Sequence, residues 1–200
     1  VFLRSQADKV REATGVNLGD LTPAQVMALP EDLQWTSLPY LAERAYARAM
    51  SRGFRNHNDS VWTDYLGRAR AYSDRAIALL QRRTHPGVVR LQYEAHVVRG
   101  WAAIADNDRA LAITHLNAAI DALVAKPVTL MDGREPLYTL TNHLIKAGDV
   151  GPVAEAFDRL GELDSEDLGE FKKSAEDLRA GRMPDQYQRM LAWLEEQKRY

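Results

Sequence analysis

Hydrophobic positions recur every three or four residues along this 200-residue chain, and the strict alternation of a half-buried strand is absent. Ala, Leu, Arg and Glu dominate, all good helix formers, so the chain is predicted to be helical almost throughout. A first helix is expected near 2–14, closed by Gly15. In "DLTPAQVMALPEDLQW", Thr22 is placed to cap a helix, Pro23 takes its first position and Gln25 completes a capping box. Pro30 is expected to end that helix and open a short turn. The next helix is predicted from Pro39 to Arg52 with Gly53 as its stop, "FRNHND" as the loop, and a long helix over about 60–83. Further helices are predicted near 87–105, 108–125, 136–147, 150–163 and 166–180, the last stopped by Gly181. "KPVTLMDGRE" is a loop, and the final helix runs from Pro184 to Lys198 with Tyr187, Met190, Leu191 and Leu194 as its apolar stripe.

The helices read as pairs, and the pairs repeat. In "GWAAIADNDRALAITHLNAAIDAL" the turn is Asn107-Asp108, and a small residue, Ala119, closes the second helix 12 positions on. In the following pair the turn is Gly148-Asp149, and Leu160 lies 12 positions on. Gly100 and Thr141 each stand seven places before their turn, and Leu116 and Phe157 nine after it. These matched positions, from Gly100 to Ala119, recur at one constant offset, from Thr141 to Leu160. A weaker copy spans 40–83, with Gly53 as the turn, Ala76 as the closing position and an insertion near 53–63.

These hairpins resemble the tetratricopeptide repeat family. The middle one carries Gly100, Asn107-Asp108, Ala112, Leu116 and Ala119; the third carries Leu137, Leu140, Leu144, Gly148-Asp149 and Phe157, departing at Val153 and Leu160, where the family prefers small residues. The family's unit is shorter than the spacing of Asn107 and Gly148, so longer connections are implied here. The resemblance implies an all-α fold, an α-solenoid of antiparallel hairpins in 40–163, with 1–39 as an N-terminal cap or extension and 164–200 as a C-terminal helical pair or cap. It also implies that the first helix of each hairpin lines a concave groove. The groove residues would be Glu94, Val97, Trp101, Ile104 and Ala105, then Tyr138, Asn142, Ile145 and Lys146. Trp101 and Tyr138 would be the anchors for a peptide, while core packing is the simpler reading of each tryptophan, Trp35, Trp62, Trp101 and Trp193 alike. Some family members grip a C-terminal carboxylate with Lys and Asn; only Asn142 and Lys146 offer that chemistry here.

Composition narrows the alternatives. Hydrophobic residues make up 46% and charged residues 27%, enough apolar surface for a core. No apolar run is long enough to span a membrane. The chain starts "VFLRSQADKV", neither a signal peptide nor a Met start, which suggests a trimmed or excised segment. The absence of cysteine removes disulfides, thiolate metal sites and thiol catalysis, and leaves the compartment open. Arginine outnumbers lysine, a bias that fits a GC-rich bacterial genome. Net charge is −2 but unevenly spread: residues 40–100 hold 11 basic against 5 acidic side chains, and 101–200 hold 12 against 18. Solvated helix faces account for that most simply; a partner of opposite charge is the alternative.

Candidate chemistry is sparse. His57, His85, His96, His115 and His143 show no metal-ligand spacing, and Asp106-Asn107-Asp108 lacks the pattern of a calcium loop. No phosphate-binding, dinucleotide or nucleophile-elbow motif occurs, so no catalytic residue, metal or cofactor is predicted. Arg44, Arg48 and Arg52 share one helical face beside Tyr40, Tyr46 and Phe54. A solvated or salt-bridged face accounts for these arginines most simply; on a mildly acidic chain, an acidic peptide is the next reading, ahead of nucleic acid. The function expected is a non-catalytic scaffold holding a protein segment. A helical sensor domain contacting through the 53–63 insertion, and an enzyme, are the alternatives. Oligomeric state is left open.

Overall fold

The computed structural model describes residues 2–53, 59–84, 87–125, 134–163, 169–185 and 187–189. Among them are nine α-helices and no strand: α1 (Phe2–Thr14), α2 (Pro23–Met27), α3 (Glu31–Gly53), α4 (Ser60–Leu80), α5 (Val88–Ala105), α6 (Arg109–Ala125), α7 (Arg134–Lys146), α8 (Val150–Gly161) and α9 (Gly169–Arg179). A 3-10 turn, Leu18–Asp20, joins α1 to α2, and residues 185 and 187–189 are helical again. Phe54, His57, His85, Trp193 and the expected stripe residues Met190, Leu191 and Leu194 lie outside the described residues, as do 54–58 of the 53–63 insertion and the loop 126–133. Arg52 lies on α3, but its side chain is likewise outside them.

Local chemistry sets most of the helix ends. Gly15, at φ +71°, closes α1 by donating to the Arg11 carbonyl at 2.8 Å. The capping box at α2 is complete. The Gln25 amide donates to Thr22 Oγ1 at 3.3 Å and the Thr22 amide donates to Gln25 Oε1 at 2.9 Å. The structure corrects the start of the next helix. The helix predicted to begin at Pro39 begins at Glu31 and runs through Pro39 to Gly53, so the boundary drawn between residues 39 and 40 falls inside one element. Pro39 removes one backbone donor, but Leu38, Leu41 and Ala42 around it are all buried, and that burial outweighs the missing bond. Pro30 sits ahead of this helix and its carbonyl accepts from the Leu33 and Gln34 amides, both at 2.9 Å.

The repeat is visible in the hydrogen bonds. Asn107 (φ +61°) and Gly148 (φ +91°) are both left-handed. Asn107 donates to the Ile104 carbonyl and Asp108 to that of Ala103; Gly148 donates to Ile145 and Asp149 to Leu144, so each bond recurs at the repeat offset. Both turns are Schellman caps. A third follows α9: Gly181 (φ +73°) donates to Leu178 and Arg182 to Asp177. Counting back seven places from each left-handed cap gives Gly100, Thr141 and Ser174, all small and all buried. This last member escapes a search for a constant period, because the step from Gly148 to Gly181 is shorter than that from Asn107 to Gly148.

Helices pack mainly on near neighbours in the chain: α3 on α4, α5 on both of these and on α6 and α7, α6 on α8, and α8 on α9. The core divides into two clusters, and α5 contributes to each. Ala95, Val98, Trp101 and Ala102 join α1 to α4 in the first; Val89, Tyr93, Val97 and Ala103 join α6 to α9 in the second. Gly100 lies where α5 meets two helices. A Cβ there would stand 2.9 Å from Leu140 Cδ2 on α7 and 3.3 Å from the Ala112 carbonyl on α6. At the far end Tyr138, Phe157, Phe171 and Tyr187 form an aromatic cluster, with ring centroids 5.3–6.2 Å apart. Tyr187 donates to Thr141 Oγ1 at 2.5 Å, and Thr141 donates to the Leu137 carbonyl at 2.7 Å.

Several charged side chains pair between helices. Arg99 pairs with Asp74 at 2.7 Å, Arg70 with Asp106 at 2.6 Å, and Arg159 with Asp121. Arg109 reaches the next turn, donating to the Ala147 carbonyl at 2.7 Å. Gly100→Val should lower unfolding free energy by about 2–3 kcal/mol in a urea titration, because backbone on α6 blocks the new side chain. Gly67→Ala, on the exposed face of α4 with nothing within 4 Å of its added carbon, should raise it by about 1 kcal/mol.

Candidate functional site

The groove residues do not form an open groove. Trp101 is 3% exposed and packs edge-on against Tyr46 of α3, with ring centroids 4.6 Å apart; Val97 is 1% exposed in the second cluster. The expectation that Trp101 faces a partner assumed a wet side to α5. Its segment "VVRLQYEAHVVRGWAAIA" has apolar residues spread around most of its circumference, so the side bearing Val97 and Trp101 is covered by neighbouring helices while the polar residues Arg90, Glu94 and Arg99 mark its partly open side. Tyr138 is covered by Phe171 and Tyr187. Asn142 is buried, and its carboxamide oxygen has no partner among the described residues, whereas Lys146 is exposed. Glu94 is half-buried and paired with Arg90 at 2.7 Å; Ile104, Ala105 and Ile145 are half-buried.

The basic face is different. Arg44 and Arg48, one turn apart on the exposed side of α3, are joined by Arg68 from α4 around a cavity of 130 Å³. Tyr65 and Tyr72 complete the polar wall, and Leu18, Val26 and Leu41 make the apolar part. Among the described residues, no carboxylate lines it. The α3–α4 pairing puts the arginines together, and the segment from Leu18 to Val26 closes the side. Arg68 pairs with Asp64 at 2.7 Å and its guanidinium lies 5.3 Å from the Tyr65 ring centre. Burial pushes the Tyr72 hydroxyl pKa up, and the Arg68 charge works against that. Arg44 donates to the Tyr40 hydroxyl at 3.2 Å.

Two further cavities adjoin this one. An open, mostly apolar recess of 420 Å³ shares Arg68 and Tyr72 and is lined by Met27, Gly67 and Ala71. A third, of 270 Å³, shares Leu18, Gly19 and Arg44. Arg68, Tyr65 and Tyr72 carry no signal in the sequence because nothing local distinguishes them; only the pairing of α3 with α4 brings them to Arg44.

His96 and His115 meet between α5 and α6 with their Nδ1 atoms 3.0 Å apart. One ring must donate and the other accept, so the pair holds at most one proton between the facing nitrogens. Burial, then the neighbouring His115, lowers the His96 pKa to about 4, with Asp121 opposing; burial, then Arg99, lowers that of His115, with Asp74 opposing. Among the described residues, no three His, Asp or Glu side chains gather closely enough to hold a metal ion.

No protein family, curated protein or solved structure matches this chain. The class it defines is therefore an all-helical protein, its helices packed on chain neighbours, with an arginine-lined recess toward its N-terminal end.

Trp101→Ala should cost about 3–5 kcal/mol in a denaturant titration, the signature of a core residue. The histidine pair fixes a pH dependence. A ring whose pKa falls on folding binds its proton more tightly in the unfolded chain, so stability is fully present above about pH 6.5 and is lost towards about pH 4. The urea midpoint should fall through that window by the equivalent of roughly 2 kcal/mol, discounted for partial solvent access. His96→Leu should flatten that part of the profile.

Proposed function

We propose that the chain is a tetratricopeptide-like α-solenoid acting as a non-catalytic scaffold, and that it holds an acidic protein segment at the recess between α3 and α4. One observation carries the reading: Arg44, Arg48 and Arg68 converge from two helices on one cavity, with tyrosines beside them and no carboxylate among the described lining residues. Guanidinium forks suit carboxylates, and the tyrosine rings supply contact area at small entropic cost. The solenoid part of the reading is supported by three Schellman caps, each preceded by a small buried residue, and by contacts between near neighbours in the chain.

The adjoining recess around Met27 and Ala71 adds a second requirement. Met27 is 39% exposed, and the recess beside it is lined mainly by Pro23, Ala24, Gly67 and Ala71, together with Thr63 and the Asp64 that pairs with Arg68. A segment that presents acidic side chains to the arginines and one aliphatic side chain to this recess matches both surfaces. The groove on α5 and α7 carries less weight, because its expected anchors Trp101 and Tyr138 are engaged inside the protein.

A short fluorescein-labelled peptide rich in Glu and Asp, with a pair of leucines, should bind in an anisotropy titration at low salt. The double variant Arg48→Glu/Arg68→Glu should weaken it at least tenfold. Raising NaCl from about 50 to about 300 mM should weaken the unmodified protein's binding as well, since exposed ion pairs are screened. Equal binding by the charge-reversed protein would remove the proposal.

A further inference from the structure

The 270 Å³ cavity between α1 and α3 is more than a crevice. Two polar side chains lining it are over nine-tenths buried, Gln6 at 8% and Ser37 at 1% exposure, and among the described residues Gln6 Oε1 and Ser37 Oγ have no hydrogen-bond partner. A buried acceptor or hydroxyl left without a partner is unfavourable. Ser37 stands out among hydroxyls of its kind. Thr36, Ser73, Thr141 and Ser174 are also buried on helices, and each donates back to a carbonyl three or four places earlier. Ser37 makes no such bond. A mid-helix serine normally satisfies itself in this way.

The third polar element is Arg44, which opens onto the same cavity. Its guanidinium lies 5.7 Å from the Tyr40 ring centre and donates one bond to the Tyr40 hydroxyl, leaving further N–H groups for a ligand. Gly19 makes room for it: a Cβ at that position would stand 3.2 Å from Arg44 Nη1. One cavity thus combines a cation, a buried acceptor that can only receive a hydrogen bond, and a hydroxyl that can do either. At about 30 Å³ for each water-sized group, 270 Å³ admits a ligand of about nine heavy atoms.

We infer that this chamber binds a small carboxylate that also carries a hydroxyl or amino group. The carboxylate engages Arg44. Gln6 Oε1 and Ser37 Oγ are closed off from the void in the empty protein and reach the ligand by rotation of their side chains, Gln6 accepting the hydroxyl or amino hydrogen and Ser37 bonding the remaining polar atom. Binding here does not depend on the acidic-segment reading, although the two surfaces share Arg44.

The test uses the full chain with L-malate and L-aspartate, followed by thermal shift and titration calorimetry. Succinate serves as the carboxylate lacking a donor, and inorganic phosphate as a plain anion. Malate or aspartate should raise the melting temperature at low millimolar concentration, and succinate and phosphate should bind at least tenfold more weakly. Ser37→Ala should leave the ligand-free melting temperature unchanged or higher, since it deletes an unpartnered buried group, yet weaken malate and aspartate at least tenfold. Arg44→Gln should abolish the response. Arg48→Glu/Arg68→Glu should preserve it, which separates this site from the peptide surface. No response to malate or aspartate at about 10 mM overturns the proposal, since a site this weak would add little to folded-state stability. So does an equal response to succinate or phosphate, or full retention in Ser37→Ala.

Discussion

The close approach of α5 to its neighbours is the constraint on which the rest of the structure depends. A helix flanked on both sides must be apolar on both sides, and it must be thin where two other helices cross it. The segment meets both conditions. Its charged residues are few, and Gly100 stands where a side chain would meet α6 backbone and Leu140 together. Dispersion and hydrophobic contact fall away quickly with distance, so one missing side chain at the crossing lets many others touch. Small residues at Thr141 and Ser174 occupy the matching register on α7 and α9.

Turn chemistry sets that register. A left-handed residue ends α5, α7 and α9 alike, and its amide and the next satisfy carbonyls that the helix leaves open. Because the cap geometry is the same each time, residues counted back from it fall on the same face. Arg109 then ties one turn to the next through the Ala147 carbonyl. The packing is therefore held at its rim by polar bonds and at its centre by apolar contact.

Those features are legible in the sequence wherever the chemistry is local. Gly15, the Thr22–Gln25 box, the Asn107 and Gly148 turns and the stop at Gly181 all belong to short motifs whose backbone geometry demands particular residues. The passage of α3 through Pro39 is not legible, because local preference argues for a break and distant burial overrides it. Ser174 can be found by counting back from Gly181, though not by looking for a fixed period. The basic face is half legible: Arg44 and Arg48 follow from helical spacing, whereas Arg68 arrives from another helix. Gln6 and Ser37 carry no local signal at all; they become notable only where α1 meets α3. Trp101 misleads for a related reason. Angular position on a helix says which way a side chain points, not whether another helix already stands there.

The sharing of α5 between two hydrophobic clusters has a thermodynamic consequence. Repeat arrays can in principle fray from an end, one unit at a time, since each unit touches only its neighbours. Here, stripping away either half would leave a long apolar face of α5 bare to water, so disruption that reaches this helix is resisted from both directions. The two clusters are thereby coupled through α5, each supporting the helix on which the other packs.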